Sequence, residues 1–293
     1  MARKNIFQLV EENYDIQNEI QKISNQFRSV RYFHSGKEHW SLFHLVDEYF
    51  FIEWKLRGTC LDAYEFLEKS HADFEENTYV EEEVIVNFLE VVENFISICY
   101  ANLDWLRDNR IDFYKEDFED IFVNLVDVIE KRMGLVRRAY KDRIIIYPRN
   151  PALEKAITLC EDEYVQWELI KYVREDLSLS EKRKTLAYLA TNLYIEEDDS
   201  EKEDPIKTIV KNACILLNNL HIRHNNKTGK WENKAFKDLD EKDAITLCDM
   251  VYNEMLTIVL LREHKEYEKT YDEFRRKQKE EKAKKKVEEK MKC

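Results

Sequence analysis

Ile144-Ile145-Ile146-Tyr147-Pro148-Arg149-Asn150-Pro151 divides the chain and sets its fold class. The first four residues are the one β-looking run in the sequence, too isolated to build a sheet. Pro148 closes what precedes it, and Asn150-Pro151 opens a helix. An Asn side chain accepts from the free N–H groups of a first turn, and proline brings a φ already suited to one. The main boundary is therefore placed here. An N-terminal helical bundle is expected over residues 1–147, a second helical domain over 148–275, and a charged helical tail over 276–293.

Composition agrees with helix on both sides of that boundary. Only 4 Gly and 3 Pro occur in 293 residues. Tight hairpin turns need positive φ, which glycine supplies most easily, so the expected class is all-α. Apolar residues reach 44% and aromatics 12%, ample for packed cores. In the first half the spacing predicts helices over residues 6–27, 40–67 (kinked near Gly58), 80–106 and 113–140, joined up-and-down. Ser35-Gly36 reads as a polar break. Trp40, Trp54, Trp105 and Trp167 are read as core. In the second half helices are expected over 152–174 and, capped by Ser180, over 181–194. An acidic loop at 196–204 precedes a helix opened by Asp204-Pro205, which ends at Asn225-Asn226 and Gly229. Asp240 starts a long final helix.

The formal net charge is −13, and residues 277–292 hold 8 Lys against 4 Glu, a local +4 that leaves −17 on the rest. A body of that sign repels phosphate backbones and anionic lipid, so a nucleic-acid contact needs a local basic patch. The six cysteines are widely spaced and include no CxxC, against a disulfide framework or zinc site. Residues 1–10 lack the apolar core of a signal peptide, and the apolar run at 256–261 is too short to span a bilayer. A cytoplasmic protein with no membrane contact and no cofactor is expected.

The candidate site is Leu217-Asn218-Asn219-Leu220-His221-Ile222-Arg223-His224-Asn225-Asn226. On a helix begun at Ile206, the residues Ile209, Val210, Ala213, Leu217 and Leu220 form one apolar stripe. His224 falls in the middle of that stripe and His221 on its edge, at the helix's last turn. An imidazole there could act as general base, or stabilise an anion together with Arg223. The same residues also suit a helix C-terminus, where cations and Asn are favoured.

Arg223-His224-Asn225-Asn226 resembles the start of the motif of the HEPN superfamily, small helical bundles of bacterial abortive-infection and toxin proteins, CRISPR-linked ribonucleases and tRNA-binding modules. The resemblance covers about residues 145–275. Active members carry an arginine and a downstream histidine, and as dimers they cut RNA without metal. Here the downstream position reads Thr228, Gly229 or Lys230, so either His224 or His221 substitutes or the module only binds. The resemblance implies a metal-independent endoribonuclease, or an RNA-binding homodimer, of a defence or toxin system. Arg223 would stabilise the phosphorane, His224 or His221 would take the 2′-OH proton, and Asn225, Asn226, Lys227 and Lys230 would hold phosphate. A basic patch is expected over 217–234. The competing expectation is a non-catalytic scaffold or regulatory bundle whose acidic surface binds a basic protein, with the C-terminal helix as docking arm.

Weaker candidates remain. Arg28-Ser29-Val30-Arg31-Tyr32-Phe33-His34 formally matches the arginine–histidine spacing, and Tyr32 and Phe33 could stack on bases. His44 and Glu48 share a helix face at i,i+4. His221 and His224 could supply two zinc ligands, with no third signalled.

Overall fold

The computed structural model describes residues 15–74, 79–113, 115–195, 205–220, 222 and 239–291, with the backbone alone at 115–117, 205, 266, 268, 269, 272, 274 and 278–291. It is mostly helical and comprises two compact units, Met1–Arg149 and Asn150–Cys293. The all-α expectation needs correction, because two small antiparallel sheets are present in the first unit.

The first unit opens with α1 (Ile16–Arg28), capped by Asp15, whose carboxylate accepts from Asn18 N–H at 3.3 Å. The polar break at Ser35-Gly36 is a hairpin turn, Gly36 at φ 61° joining β1 (Arg31–Ser35) to β2 (Glu38–Ser41). The expected helix over 40–67 is not continuous. Ser41 caps a single turn, α2 (Leu42–Leu45), which widens into a π-helical turn at Val46–Phe50 and ends. A 3₁₀ turn at Lys55–Arg57 and α3 (Ala63–Lys69) follow. A positive φ of 62° at Gly58 breaks the path there. Next come α4 (Glu82–Ala101), α5 (Leu103–Asp108), β3 (Asp112–Phe113), which completes the sheet in the order β2-β1-β3, and α6 (Lys115–Val126), continued by a π-helical turn at Asp127–Arg132.

The run Ile144–Tyr147 is not isolated. It lies in β5 (Arg143–Pro148), paired with β4 (Leu135–Tyr140), where a helix end was expected. The two-residue turn takes its positive φ from Lys141, at 52°, not from glycine. The outer edge of β5 is met by a helix instead of a third strand. Asn94 Oδ1 accepts from Ile144 N–H (2.9 Å), Asn94 Nδ2 donates to Ile144 O (2.8 Å), and Glu90 Oε2 accepts from Ile146 N–H (2.9 Å). Four helical residues rise about 6 Å and two strand residues about 6.8 Å, so side chains at i and i+4 of α4 match alternate residues of β5. One turn on, Glu93 forms a buried ion pair with Arg137 of β4; burial pushes the Glu93 carboxyl up, against the pull of the guanidinium. The core beneath is aromatic: Phe27 meets Phe43, Phe88 and Phe95 at 5.4–5.7 Å between ring centres, largely at the tilted angles such rings favour. Trp40 is buried and Trp54 half-buried, but Trp105 is an outer residue, set against Phe50 and Tyr49.

The second unit is helical throughout its described residues. Asn150 Oδ1 accepts from Ala152 and Leu153 N–H, and Pro151 begins α7 (Pro151–Leu159). Asp162 caps α8 (Glu163–Arg174), so the expected helix over 152–174 is two. The next helix begins two residues earlier than expected: Ser178 and Glu181 form a capping box on α9 (Leu179–Asn192). α10 (Pro205–Asn219) and α11 (Glu241–Met291) complete the unit. α11 packs on α7, α9 and α10, burying Ala244, Cys248, Val251, Tyr252, Met255, Leu256 and Ile258. The five described cysteines are unbridged, and four of them are buried.

Among the described residues, two helices are long and apolar enough to cross a membrane, Glu82–Ala101 and Glu241–Lys265. The first lines the core of its unit, whereas less than half of the apolar stretch of the second is buried.

Candidate functional site

His221, Arg223, His224, Asn225, Asn226, Lys227 and Lys230 lie outside the described residues, as do the acidic segment 196–204 and most of the expected basic patch over 217–234. The helix leading to them is described. Val210, Ala213, Leu217 and Leu220 are buried on α10, the expected stripe. The helix nevertheless ends at Asn219, earlier than expected: Ile222 N–H donates to Leu217 O, five residues back, at 3.0 Å, and the Ile222 side chain is buried. That bond closes a helix C-terminus, and the expected positions of His221 and His224 on the stripe lie outside the described residues.

The weaker candidates are resolved. Tyr32 and Phe33 are buried against Phe118 and are closed to bases, while Arg28 is paired with Asp73 at 2.6 Å. His44 does not meet Glu48. Its Nδ1 lies 2.8 Å from Ser41 Oγ and its Nε2 3.3 Å from Tyr64 OH, whereas Glu48 accepts from Trp40 Nε1 at 2.7 Å. Ser41 is buried and caps α2, so this serine–histidine pair presents no accessible nucleophile. Among the described residues no group of three or more His, Cys, Asp or Glu is arranged to hold a metal ion.

Two constellations missed in the sequence lie in the second unit. In the first, Asp249 of α11 accepts from both Tyr172 OH (2.9 Å) and Lys182 Nζ (2.7 Å), with Lys182 4.4 Å above the Tyr172 ring. Tyr172 stacks on Tyr252 at 4.3 Å, and Tyr252 OH donates to Leu169 O. Burial, then donation to Asp249, push the Tyr172 phenol pKa upward. The hydroxyl stays protonated and spent as a donor, so the group ties α8, α9 and α11 together and does not act as a nucleophile.

The second is an open cleft of about 830 Å³, floored by Leu159, Val165, Leu193 and Val259. One edge is the link between α7 and α8, which contributes the exposed Glu161 and Asp162, the latter also capping α8, with Glu163 exposed next in the chain. α11 contributes Arg262, Glu263 and Lys265. The facing edge is the end of α9. Ile195 N–H donates to Ala190 O at 2.9 Å, and Tyr194 stands at φ 52°, which leaves its ring 75% exposed. A bulky side chain in the left-handed region is strained by about 1–2 kcal/mol, and such outliers are worth a functional question. His71 and Arg110 end α3 and α5 in the same way, also with an i−5 bond from the next residue, so the turn by itself is a habit of a glycine-poor chain. What distinguishes Tyr194 is its clamp. Arg262 of α11 donates from Nη1 to Leu193 O (2.6 Å) and from Nη2 to Tyr194 O (2.7 Å). Burial lowers the Arg262 pKa from its ordinary 12.5, far too high a value for the charge to be lost near neutrality. Glu263 is paired with Lys155 at 2.8 Å, which lowers its pKa. Beyond Ile195 the sequence runs directly into residues 196–204, seven acids and one lysine.

No family model matches the chain, and no curated protein or solved structure is detectably similar to it.

Proposed function

We propose that this protein is a non-catalytic helical interaction protein whose C-terminal unit takes up an amphipathic, basic segment of a protein partner in the Leu159–Val259 cleft. The observation that carries this reading is the cleft itself. It has an apolar floor, the exposed acids Glu161 and Asp162 on one edge with Glu163 exposed next in the chain, and on the other a strained, exposed tyrosine held by Arg262. Exposed tyrosine beside an apolar floor is the composition of protein-recognition surfaces, and acidic edges favour lysine- and arginine-bearing partners. The test is fluorescence anisotropy with a labelled Leu/Lys amphipathic helical peptide and its Leu/Glu counterpart. The lysine peptide should bind, more weakly with added salt and at least ten-fold more weakly to the Glu161→Lys/Glu163→Lys variant. Equal binding of both peptides, or indifference to the variant, would defeat the reading.

A second reading, RNA binding or metal-independent cleavage by a HEPN-like C-terminal unit, is favoured by one observation: the buried stripe of α10 leads directly to the His221–Asn226 segment. Its test is cleavage of single-stranded RNA in EDTA, which on this reading vanishes in both Arg223→Ala and His224→Ala.

A further inference from the structure

The rear half of α11 is a helix without a core of its own. Its buried positions stop at Ile258, and every described side chain from Tyr267 to Lys277 is exposed. The backbone nevertheless continues helical to Met291, so residues 266–291 form an arm of about 39 Å at 1.5 Å per residue. A helix polar on all sides gains little from folding alone. This arm carries an aromatic stripe, Tyr267 and Tyr271 one turn apart and each 60% exposed, with Phe274 next at helical spacing in the sequence. Beyond the stripe come the eight lysines and four glutamates of residues 277–292.

We infer that the occupant of the cleft is the lysine-rich end of α11 from a second copy of this chain, the two copies exchanging arms about a two-fold axis near Tyr267 and Tyr271. This inference rests on the reading of the cleft above. Charge complementarity selects the partner: the arm end is +4 and the remainder of the chain −17, so a parallel side-by-side pairing would set lysines against lysines. An antiparallel pairing sets them against the acidic body. Continuity supplies the register. The α11 wall of the cleft, Val259 to Lys265, ends within a turn of Tyr267. If Tyr267 of one copy meets Tyr271 of the other across antiparallel helices, Lys277 comes alongside position 261 of that other copy, at the mouth of the cleft that Glu161 and Asp162 line. An isologous contact of this kind closes on itself and uses both arms and both clefts.

Sedimentation velocity on the full chain tests the inference. The wild type should be dimeric at micromolar concentration, and Tyr267→Glu/Tyr271→Glu should be monomeric with unchanged circular dichroism. Glu161→Lys/Glu163→Lys and Lys277→Glu/Lys279→Glu should each dimerise at least ten-fold more weakly alone and recover when mixed one to one, because each arm then meets a cleft of opposite sign. A wild type that remains monomeric at about 100 μM overturns the inference, as does a dimer indifferent to both charge reversals. If that monomer still binds the lysine peptide in a Glu161-dependent way, self-association alone is lost; if neither binds, the cleft reading fails with it.

Discussion

Replacing Arg262 by alanine should both destabilise the C-terminal unit and loosen its cleft. The guanidinium makes two charge-assisted hydrogen bonds, to Leu193 O at 2.6 Å and Tyr194 O at 2.7 Å. Bonds to charged groups contribute about 1.5–3 kcal/mol each where water cannot replace them. The Tyr194 bond is exposed, and water substitutes for it at little loss. The Leu193 bond is partly buried and retains most of its value. The expected loss is therefore about 2 kcal/mol. Arg262→Lys should recover about half, since one ammonium cannot fork to two carbonyls. Urea unfolding followed at 222 nm measures the first effect, and affinity for the lysine peptide the second, expected to fall about five-fold as the turn bearing Tyr194 loosens. If Arg262→Ala unfolds within 0.5 kcal/mol of wild type, the clamp is not holding the edge of the cleft, and the reasoning from those two bonds is refuted.

Three further outcomes follow from the same structure. Tyr194→Gly relieves the left-handed strain at φ 52° and should raise stability by about 0.5–1 kcal/mol while weakening peptide binding; a loss of stability would show the ring to be structural. Asn94→Ala removes both bonds to Ile144 and should lower stability by about 2 kcal/mol, the low end for two stranded backbone groups, with faster hydrogen exchange at the Ile144 amide; unchanged exchange would contradict the helix-to-strand match. Glu263 has a folded pKa below its ordinary 4.5 because of Lys155, so its pairing stabilises the fold above pH 4.5 and the contribution is lost as pH falls through the depressed value. Glu263→Gln should therefore flatten that part of the acid unfolding profile, and an unaltered profile would count against the pair.

Some helix starts were legible because their chemistry is local, although that of α8 was missed and that of α9 placed two residues late. Asn150-Pro151 caps and opens α7, and Asp240 accepts from Asp243 N–H at the head of α11. Helix ends were harder to read. The helices α3, α5, α9 and α10 close with an i−5 bond from Ala72, Ile111, Ile195 and Ile222 in turn, each a buried apolar residue. The residues before the first three, His71, Arg110 and Tyr194, take the left-handed conformation usually left to glycine. A polar or aromatic residue followed by one apolar residue is the signal that would have ended α10 at Asn219. The β4–β5 hairpin was hidden for the same reason, since its turn uses Lys141, and Leu135–Tyr140 carries little β-branched character. The cleft could not be read at all. It joins residues 159–165, 192–194 and 259–265, which only tertiary packing brings together. The acids at 161–163 were visible, but nothing local says that an apolar floor lies behind them.

A photocrosslinker placed at residue 194 tests the central claim most directly. With p-benzoylphenylalanine replacing Tyr194 in the full chain, irradiation with the lysine peptide should give an adduct that salt and Glu161→Lys/Glu163→Lys both suppress. The same group at Tyr64, an exposed tyrosine of the other unit, should give none. Equal labelling from the two positions, or no adduct from residue 194 at saturating peptide, would contradict recognition in the cleft.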